Sequence, residues 1–390
     1  MAEAEPSVTA SRASLAGHDA QMLANDDPRL RSYWHPVCRS GALDDGPLAA
    51  RLLGEDLVLA RSNSGTLSAL PDRCPHRWAR LSDGCMIGEE LQCPYHGWRF
   101  AADGTCTLVP ALGPDATVPP RAHLNSLAVR EAYDMIWVAL AEPTAELIDI
   151  PEWGEPDIVA AWLPTVTINC GAAQFIDNFL DIAHFPYVHA ATFGVDEPSS
   201  DAAGTVATAA MEPYAVETSE DASSIRFRYD HFIANREDPL VDSGEHELIQ
   251  QRSMDYVYQV PFAARLRLDM PVTGVENTVI VVLAPVDAEN SLLFSALLRN
   301  DLTGPGDPRA AEAVDFELRV LAEDLIILER FGDPQFPLDT QLQVHTRADR
   351  SAIEFRRLLA AHLDRPIDPT RRIAPTPPPD RRPHLTDAPT

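Results

Sequence analysis

Short apolar runs separated by turn-forming residues fill the chain from about residue 30 to residue 142. Asn63, Ser64 and Gly65 separate one pair of runs, and Asp103 with Gly104 separates another. Apolar runs that flank such residues are typical of β-hairpins. Three pairs fit this pattern: 57–60 with 67–70, 98–100 with 106–109, and 127–130 with 135–140. This part of the sequence therefore predicts a small all-β domain.

The pattern changes after about residue 150. Residues 308–331 carry apolar side chains near helical spacing, which predicts a long helix, and residues 351–363 predict a second one. The segment from residue 174 to residue 189 looks helical at its start. Strand-like runs lie between these segments: 225–229, 255–261, 264–270, 279–284 and 292–298. The expected fold class is α+β, in which helices cover an antiparallel sheet behind the all-β domain.

Composition divides the chain into four expected units. Residues 1–27 are small, polar and rich in Asp and Ala, so we expect a disordered tail. Residues 28–145 form the all-β domain and residues 146–365 the α+β domain. Residues 366–390 are rich in proline and predict a second tail.

Charge and cysteine content restrict the classes of function. The formal net charge is −28, which disfavours nucleic-acid binding and anionic membranes, because both require a basic surface. All 31 basic residues are arginine, so mechanisms that depend on a lysine are excluded. The longest apolar run, 279–285, is too short to span a membrane, and the N-terminus lacks the features of a signal peptide. We therefore expect a cytoplasmic protein whose six cysteines are reduced.

Two cysteine–histidine pairs form the first chemical motif. Cys74 and His76 are separated by one residue, sixteen residues lie between His76 and Cys93, and Cys93 and His96 are separated by two. Two such half-sites on hairpin loops can hold one metal centre from two sides. Two thiolates and two neutral imidazoles suit a [2Fe–2S] cluster of raised potential. A structural zinc site of the same composition is the alternative, although zinc sites more often pair like residues.

These residues and their neighbours resemble the Rieske motif of ring-hydroxylating oxygenases. The resemblance runs from Cys74, Pro75, His76 and Arg77 to the stretch Cys93-Pro-Tyr-His96-Gly97-Trp98. Trp78 stands where many members of that family have glycine. Because position 78 is not a ligand, the departure is not expected to affect cluster binding. The resemblance implies that Cys74, His76, Cys93 and His96 bind a Rieske cluster.

A second motif follows in the α+β domain. Asp181 and His184 are three residues apart, which would place them on one face of a helix, and His189 follows after Pro186. Because proline disturbs helical turns, a distorted turn could bring the two imidazoles together. Two histidines and a carboxylate form the facial triad that leaves positions on Fe(II) open for O₂.

The stretch from Asp177 to His189 resembles the mononuclear iron motif of the same family. The resemblance implies that His184 and His189 bind Fe(II) and that Asn178 lies near the iron. It also implies that Asp181 connects an iron-bound histidine to a Rieske histidine of the neighbouring subunit, which predicts a head-to-tail homotrimer. The third ligand is expected from the long helix, where the segment around Asp324 is similar to that of single-subunit members. Asp315 is the alternative.

The resemblance covers about residues 28–363 and is closest to the single-subunit branch that contains the vanillate and dicamba O-demethylase oxygenases. It implies a helix-grip catalytic domain and a terminal oxygenase. Such an enzyme uses O₂ and two electrons from a separate ferredoxin or NAD(P)H-dependent flavin reductase, because the chain has no Gly-x-Gly-x-x-Gly fingerprint. Monooxygenation (hydroxylation or O/N-demethylation) of a small hydrophobic, aromatic substrate is the first expectation. A cis-dihydroxylating dioxygenase and a plain Rieske electron carrier are the alternatives.

Overall fold

The structure is a computed structural model that describes residues 22–113, 116–193, 211–304, 306–332 and 335–364. The predicted C-terminal tail, 366–390, lies outside these residues. The predicted N-terminal tail, 1–27, is wrong at its end, because Met22–Leu23 forms strand β1 and pairs with Phe336–Pro337. Asn25 also donates hydrogen bonds to the carbonyl oxygens of Asp287 and Asn290 at 2.8 and 2.9 Å.

The N-terminal domain consists of three small antiparallel sheets. Their orders are β10-β11-β2, β3-β4-β5 and β6-β7-β8-β9. All three predicted strand pairs are confirmed. The strands are β2 (His35–Arg39), β3 (Leu48–Leu52), β4 (Glu55–Arg61), β5 (Leu67–Pro71), β6 (Cys85–Ile87), β7 (Glu90–Gln92), β8 (Arg99–Phe100), β9 (Cys106–Leu108), β10 (Ala128–Ala132) and β11 (Met135–Ala139).

The C-terminal domain contains one eight-stranded antiparallel sheet. Its order is β12-β19-β18-β17-β16-β15-β14, and β13 also pairs with β19. The predicted strands are present, and several are longer than the sequence pattern indicated. The strands are β12 (Val159–Trp162), β13 (Val166–Ile168), β14 (Val216–Thr218), β15 (Ser224–Ala234), β16 (Ile249–Gln259), β17 (Ala263–Met270), β18 (Val275–Pro285) and β19 (Ser291–Arg299), and β20 (Phe336–Pro337) is the partner of β1.

Helices pack against this sheet, as the α+β prediction required. The long helix α4 ends at Leu328, three residues before the predicted end. Leu321 and Leu328 of α4 are buried in the same core as the sheet. No helix in the described part of the chain is long and apolar enough to cross a membrane. The helices are α1 (Ala172–Phe179), α2 (Phe185–Val188), α3 (Pro239–Ser243), α4 (Pro308–Leu328) and α5 (Arg350–Leu363).

Strand β18 shows why the sequence contains a continuous apolar run at 279–285. Val279 and Val281 belong to the core that includes α4, whereas Ile280 and Val282 belong to a second core with Trp137 of the N-terminal domain. Successive side chains of a strand point to opposite faces. Since both faces of β18 are covered, neither set of positions needs to be polar.

The predicted helical segment at 174–189 is divided in two. Helix α1 ends at Phe179, and the four-residue helix α2 begins at Phe185. The spacing predicts that Asp181 and His184 share a helix face, and this prediction is wrong. Both residues lie in the turn between the helices. Pro186 occupies the first turn of α2, where its missing N–H costs no hydrogen bond. The helix is therefore interrupted before Pro186 and not at Pro186.

Candidate functional site

The first cysteine–histidine pair lies on the loop from the three-stranded sheet β3-β4-β5 to the four-stranded sheet, and the second lies on a loop within the four-stranded sheet. Cys74 and His76 follow β5, and Cys93 and His96 connect β7 to β8. Both cysteines are buried, whereas His96 is exposed. The ring centroids of the two histidines are 4.4 Å apart. The structure therefore brings the four residues that the sequence singled out to one place at the end of the domain.

Each of the two loops contains an equivalent backbone hydrogen bond. The N–H of Trp78 donates to the carbonyl oxygen of Cys74 at 2.9 Å, and the N–H of Gly97 donates to that of Cys93 at 3.1 Å. Trp78 and Gly97 have φ angles of 63° and 68°, in the left-handed region. The two half-sites are thus similar in backbone conformation as well as in sequence.

The donor set fits an iron–sulfur cluster. In the described part of the chain, the buried Nδ1 of His76 has no hydrogen-bond partner, and Trp98 stacks on the same ring at a centroid distance of 4.7 Å. Burial and the neighbouring Cys93 thiol raise the pKa of Cys74 to about 11. Buried polar atoms of this kind are rarely left without a partner. Two thiols and two imidazoles at one place match the ligand set of a Rieske cluster.

A second cluster of ligand atoms lies in the C-terminal domain. Nε2 of His184 and Nε2 of His189 are 3.1 Å apart. Oδ1 of Asp324 on α4 is 3.5 and 3.3 Å from these two atoms. Ligands at right angles around a metal ion, each about 2.1 Å from it, are about 3 Å from one another. The three side chains therefore have the spacing that a facial triad requires.

Two further carboxylates contact the outer nitrogens of the histidines. Oδ2 of Asp181 is 3.3 Å from Nδ1 of His184, and Oε2 of Glu323 is 2.8 Å from Nδ1 of His189. Burial alone would lower the pKa of His184, but the neighbouring carboxylates of Asp181 and Asp324 outweigh it and raise the pKa to about 9. Carboxylates in these positions orient a metal-binding imidazole and increase its basicity.

The carboxylate of Asp324 is buried and ionised, which suits the binding of a cation. Its Oδ1 is buried and has no hydrogen-bond partner among the described residues. Although burial would raise it, the two histidines beside it, together with Asn178, hold the pKa of Asp324 well below its usual range. Asn178 also lines the adjacent cavity. A buried ionised carboxylate facing two imidazoles fits a divalent metal.

The structure separates the other candidate acids from this cluster. Asp315, the alternative third ligand, is exposed on α4 and is not part of the cluster. Asp177 forms an ion pair with Arg356 of α5, with N···O distances of 2.5 and 2.9 Å. Glu317 lines the cavity, and burial raises its pKa to about 7.

A cavity of about 870 Å³ opens beside the histidines and Asp324. Part of its wall is apolar, with side chains from β17, β18 and β19 such as Leu266, Val281 and Leu297. A second part of the wall, which the sequence analysis missed, is charged. It includes Glu237, Arg252, Arg299 and Glu317. A concave site with an apolar wall and few polar groups is typical of small-molecule binding.

Comparison with known proteins agrees with this geometry. The model of the Rieske [2Fe-2S] domain matches residues 33–128. The model of the vanillate O-demethylase oxygenase C-terminal domain matches residues 168–365, which is half of the chain. The chain belongs to the Rieske non-haem iron oxygenases. This Rieske oxygenase is therefore an oxidoreductase whose family carries a [2Fe–2S] cluster and a mononuclear iron, and the zinc alternative is not supported.

Individual relatives cover nearly the whole oxygenase. Methylxanthine N1-demethylase NdmA of Pseudomonas putida is 30% identical over 87% of this chain and 91% of its own. Methylxanthine N3-demethylase NdmB of the same organism is 29% identical over 86% and 90%. The solved structure of NdmA with caffeine has a TM-score of 0.72 at 26% identity and covers 89% of this chain and 99% of that one. The fold class expected from the sequence is confirmed by this similarity.

Sequence reasoning missed Glu323 and Arg252. Glu323 directly precedes Asp324, so a carboxylate beside the expected ligand was visible in the sequence. Arg252 lies two residues before Met254 and four before Tyr256, both buried. The predicted strand began only at residue 255. An extension of its alternation by three residues would have placed Arg252 on the inner face.

Proposed function

We propose that this chain is the terminal oxygenase of a multicomponent Rieske system that monooxygenates a small, largely hydrophobic substrate. One observation carries the proposal. His184, His189 and Asp324 offer ligand atoms within 4.8 Å of one another beside a large cavity, in a chain that also has the paired cysteine–histidine loops. A pure electron carrier would need neither the cavity nor the second cluster of ligands. We place the boundary between the two domains, 28–145 and 146–365, near residue 145.

The proposed ligands follow from the geometry. Cys74, His76, Cys93 and His96 hold the [2Fe–2S] cluster, and His184, His189 and Asp324 hold Fe(II). Two buried thiols with an unpartnered imidazole nitrogen support the first assignment. The converging Nε2 and Oδ1 atoms support the second. When bound, these groups supply single electrons and activate O₂.

Other side chains of this protein orient the proposed iron ligands and hold the substrate. Asp181 and Glu323 accept hydrogen bonds from the outer nitrogens of the two histidines, which fixes the direction of their Nε2 atoms. Asn178 lies beside Asp324 and helps to keep it ionised. The apolar wall of the cavity holds the substrate and excludes water. The net reaction converts a methyl or ring C–H bond to C–OH and uses O₂, two electrons and two protons, with water as the second product.

We propose that electrons come from a separate ferredoxin or NAD(P)H-dependent flavin reductase and that the oxygenase is a head-to-tail homotrimer in the cytoplasm. His96 is exposed, and Asp181 retains 32% of its side-chain accessibility beside His184. Among the described residues, no hydrogen bond or ring contact joins the cysteine–histidine loops to the iron-site histidines of the same chain. An exposed Rieske histidine and an accessible Asp181 support a contact across a subunit interface.

The first test is the iron and acid-labile sulfide content of anaerobically purified protein, with an EPR spectrum after reduction. We expect roughly three irons and two sulfides per chain and a rhombic Rieske signal. About one zinc and no sulfide per chain would contradict the proposal. A cluster without additional iron would instead favour the electron carrier.

A second test separates monooxygenation from dioxygenation. Turnover of an aromatic methyl ether with a reductase under ¹⁸O₂ should give a phenol that keeps the unlabelled ether oxygen, with one labelled oxygen in the released formaldehyde and the other in water. Two labelled oxygens in a cis-diol would establish the dioxygenase alternative.

A further inference from the structure

Arg252 occupies an unusual position in the sheet. It lies on β16, where Gln250, Met254 and Tyr256 are also buried and point to the same face. Its side chain lines the cavity, and the residue is only 6% exposed. A guanidinium on the inner face of a strand is out of contact with bulk water, so its charge must be balanced inside the protein.

The residues around Arg252 provide partners for only some of its hydrogen-bond donors. Its Nε donates a hydrogen bond to Nε2 of His231, the cross-strand neighbour on β15, at 3.0 Å. The guanidinium carbon lies 4.6 Å from the ring centroid of Phe193 and 6.0 Å from that of Phe185. Among the described residues, neither terminal nitrogen has a hydrogen-bond partner or a carboxylate at ion-pair distance.

The other two arginines that are buried within the described residues differ in this respect. Arg299 forms two hydrogen bonds with Asp301, at 2.9 and 3.0 Å. Arg356 forms a two-point ion pair with Asp177. A planar guanidinium that is buried normally meets a carboxylate in this forked arrangement. Arg252 is equally buried, and its side chain faces the cavity. The described part of the chain, however, does not provide a carboxylate partner for it.

Two glutamates face the same region without filling this role. Glu237 and Glu317 line the cavity and interact with Arg252 through space, but neither lies at ion-pair distance from it. Burial raises the pKa of both carboxyl groups above the usual range. Burial also lowers the pKa of Arg252, to about 10, so the guanidinium stays charged at neutral pH while Glu317 is partly protonated.

Arg252 is also close to the iron-site histidines. The Phe193 ring under the guanidinium is 4.8 Å, centroid to centroid, from the ring of His189. The Phe185 ring is 4.9 Å from that of His184. About one aromatic ring thus separates the positive charge from the histidines. A molecule held at one end by Arg252 would extend along the cavity toward His184, His189 and Asp324.

We propose that Arg252 is the specificity-determining residue of the cavity and that the substrate carries a carboxylate, bound in two-point fashion by the two terminal nitrogens of Arg252. The inference rests on the proposed oxygenase function and names its substrate class: an aromatic or similarly flat apolar acid. The carboxylate lies against Arg252, the apolar body lies along β17 to β19, and the reacting carbon faces the histidines. His231 positions Arg252, because its Nε2 accepts the Nε hydrogen bond.

The test is equilibrium binding by calorimetry to the iron-loaded holoprotein without O₂. The probes are 4-methoxybenzoate and its neutral isostere 4-methoxybenzamide. The wild-type protein should bind the acid at least about tenfold more tightly, as expected for a charge-assisted pair. Arg252→Met should abolish this preference, and Arg252→Lys should keep part of it, because lysine retains the charge without the fork. Arg228→Met removes an exposed arginine from the neighbouring strand and should keep the full preference.

Several outcomes would overturn the inference. They are equal binding of acid and amide by the wild type, no binding of the acid at millimolar concentration, and a preference that survives in Arg252→Met. If Arg252 only balances Glu237 and Glu317, its replacement will lower the melting temperature and leave the acid-to-amide ratio unchanged. Arg252→Lys keeps the test valid if the methionine variant does not fold. Failure of the proposed function is separate, because it appears as missing iron or sulfide in the same preparation.

Discussion

Nδ1 of His189 lies 2.8 Å from Oε2 of Glu323, so the residue that precedes Asp324 on α4 supports a histidine that Asp324 also faces. The same carboxylate oxygen accepts a hydrogen bond from Thr192 at 2.8 Å. One turn of α4 thus supplies both a candidate iron ligand and the group that orients a second candidate ligand. This arrangement matches the carboxylate–histidine–metal pattern of many metal sites.

The contact predicts that Glu323→Gln weakens iron binding. The amide keeps the size of the side chain but loses the charge that raises the basicity of the imidazole. We expect a loss of about 10- to 100-fold in Fe(II) affinity, as is typical for such partners. Titration of apoprotein with Fe(II) measures the affinity, and the EPR signal of the reduced Rieske cluster should stay unchanged. Glu329→Gln, at the end of α4, is the control, because Glu329 contacts Asn169 and not the site.

A second prediction separates the two candidates for the third ligand. Asp324→Ala should lower the iron content from roughly three to two per chain and leave the sulfide content unchanged. Asp315→Ala should change neither value, because Asp315 is exposed on α4. Metal and sulfide analysis of the two variants, purified in the same way, gives the answer. A selective loss of iron in the Asp315 variant would show that the ligand assignment is wrong.

A third prediction concerns electron transfer between subunits. One variant, Cys93→Ala, lacks the cluster, and another, Asp324→Ala, lacks the mononuclear iron. Each homotrimer should be inactive. If the Rieske domain of one subunit serves the iron of the next, random 1:1 trimers should regain about a quarter of wild-type turnover, because one in four head-to-tail interfaces then combines two intact sites.

Size-exclusion chromatography with light scattering must first show that the variants form trimers and exchange subunits. Activity is then followed as O₂ uptake with a reductase and an aromatic methyl ether. Mixed trimers that remain inactive would indicate transfer within one chain. In that case Asp181 would be left with a role in orienting His184 alone.

The sequence predicted which candidate ligands lie close together better than it predicted the structure around them. The motif around Cys74 and Cys93 is local, so each half-site fits within one hairpin loop and its spacing is informative. The spacing of Asp181 and His184 predicts a shared helix face, and this prediction is wrong because both residues lie between α1 and α2. Helix α1 ends after eight residues because of the way it packs against the core. A local sequence pattern contains no information about this packing.

The charged part of the cavity could not be predicted for a related reason. Arg252, Arg299 and Glu317 come from two strands and a helix that are far apart in sequence. Each of them is consistent with a solvated surface when it is considered alone. Only the order of the sheet and the position of α4 bring them to one wall. The sequence therefore indicated an apolar pocket and missed the residue to which we assign specificity.

The fourth prediction uses the similarity of the two cysteine–histidine loops. Trp78 and Gly97 hold equivalent left-handed positions, but only glycine adopts that conformation without cost. Gly97→Ala should destabilise the N-terminal domain by about 1–2 kcal/mol, which is the usual left-handed penalty, and its Cβ would lie 3.4 Å from Cγ of Pro110. Trp78→Gly removes the same penalty.

The side chain of Trp78 is 68% exposed, with the guanidinium carbon of Arg73 at 3.8 Å from its ring centroid. Loss of this contact should cost about 0.5–1 kcal/mol at an exposed site, which largely offsets the relief of backbone strain. We therefore expect Trp78→Gly to change the free energy of unfolding by less than about 1 kcal/mol. Thermal unfolding, followed by the visible absorption of the cluster, compares both variants with the wild type. If Trp78→Gly destabilises more than Gly97→Ala, the backbone argument is wrong and the exposed indole itself stabilises the loop.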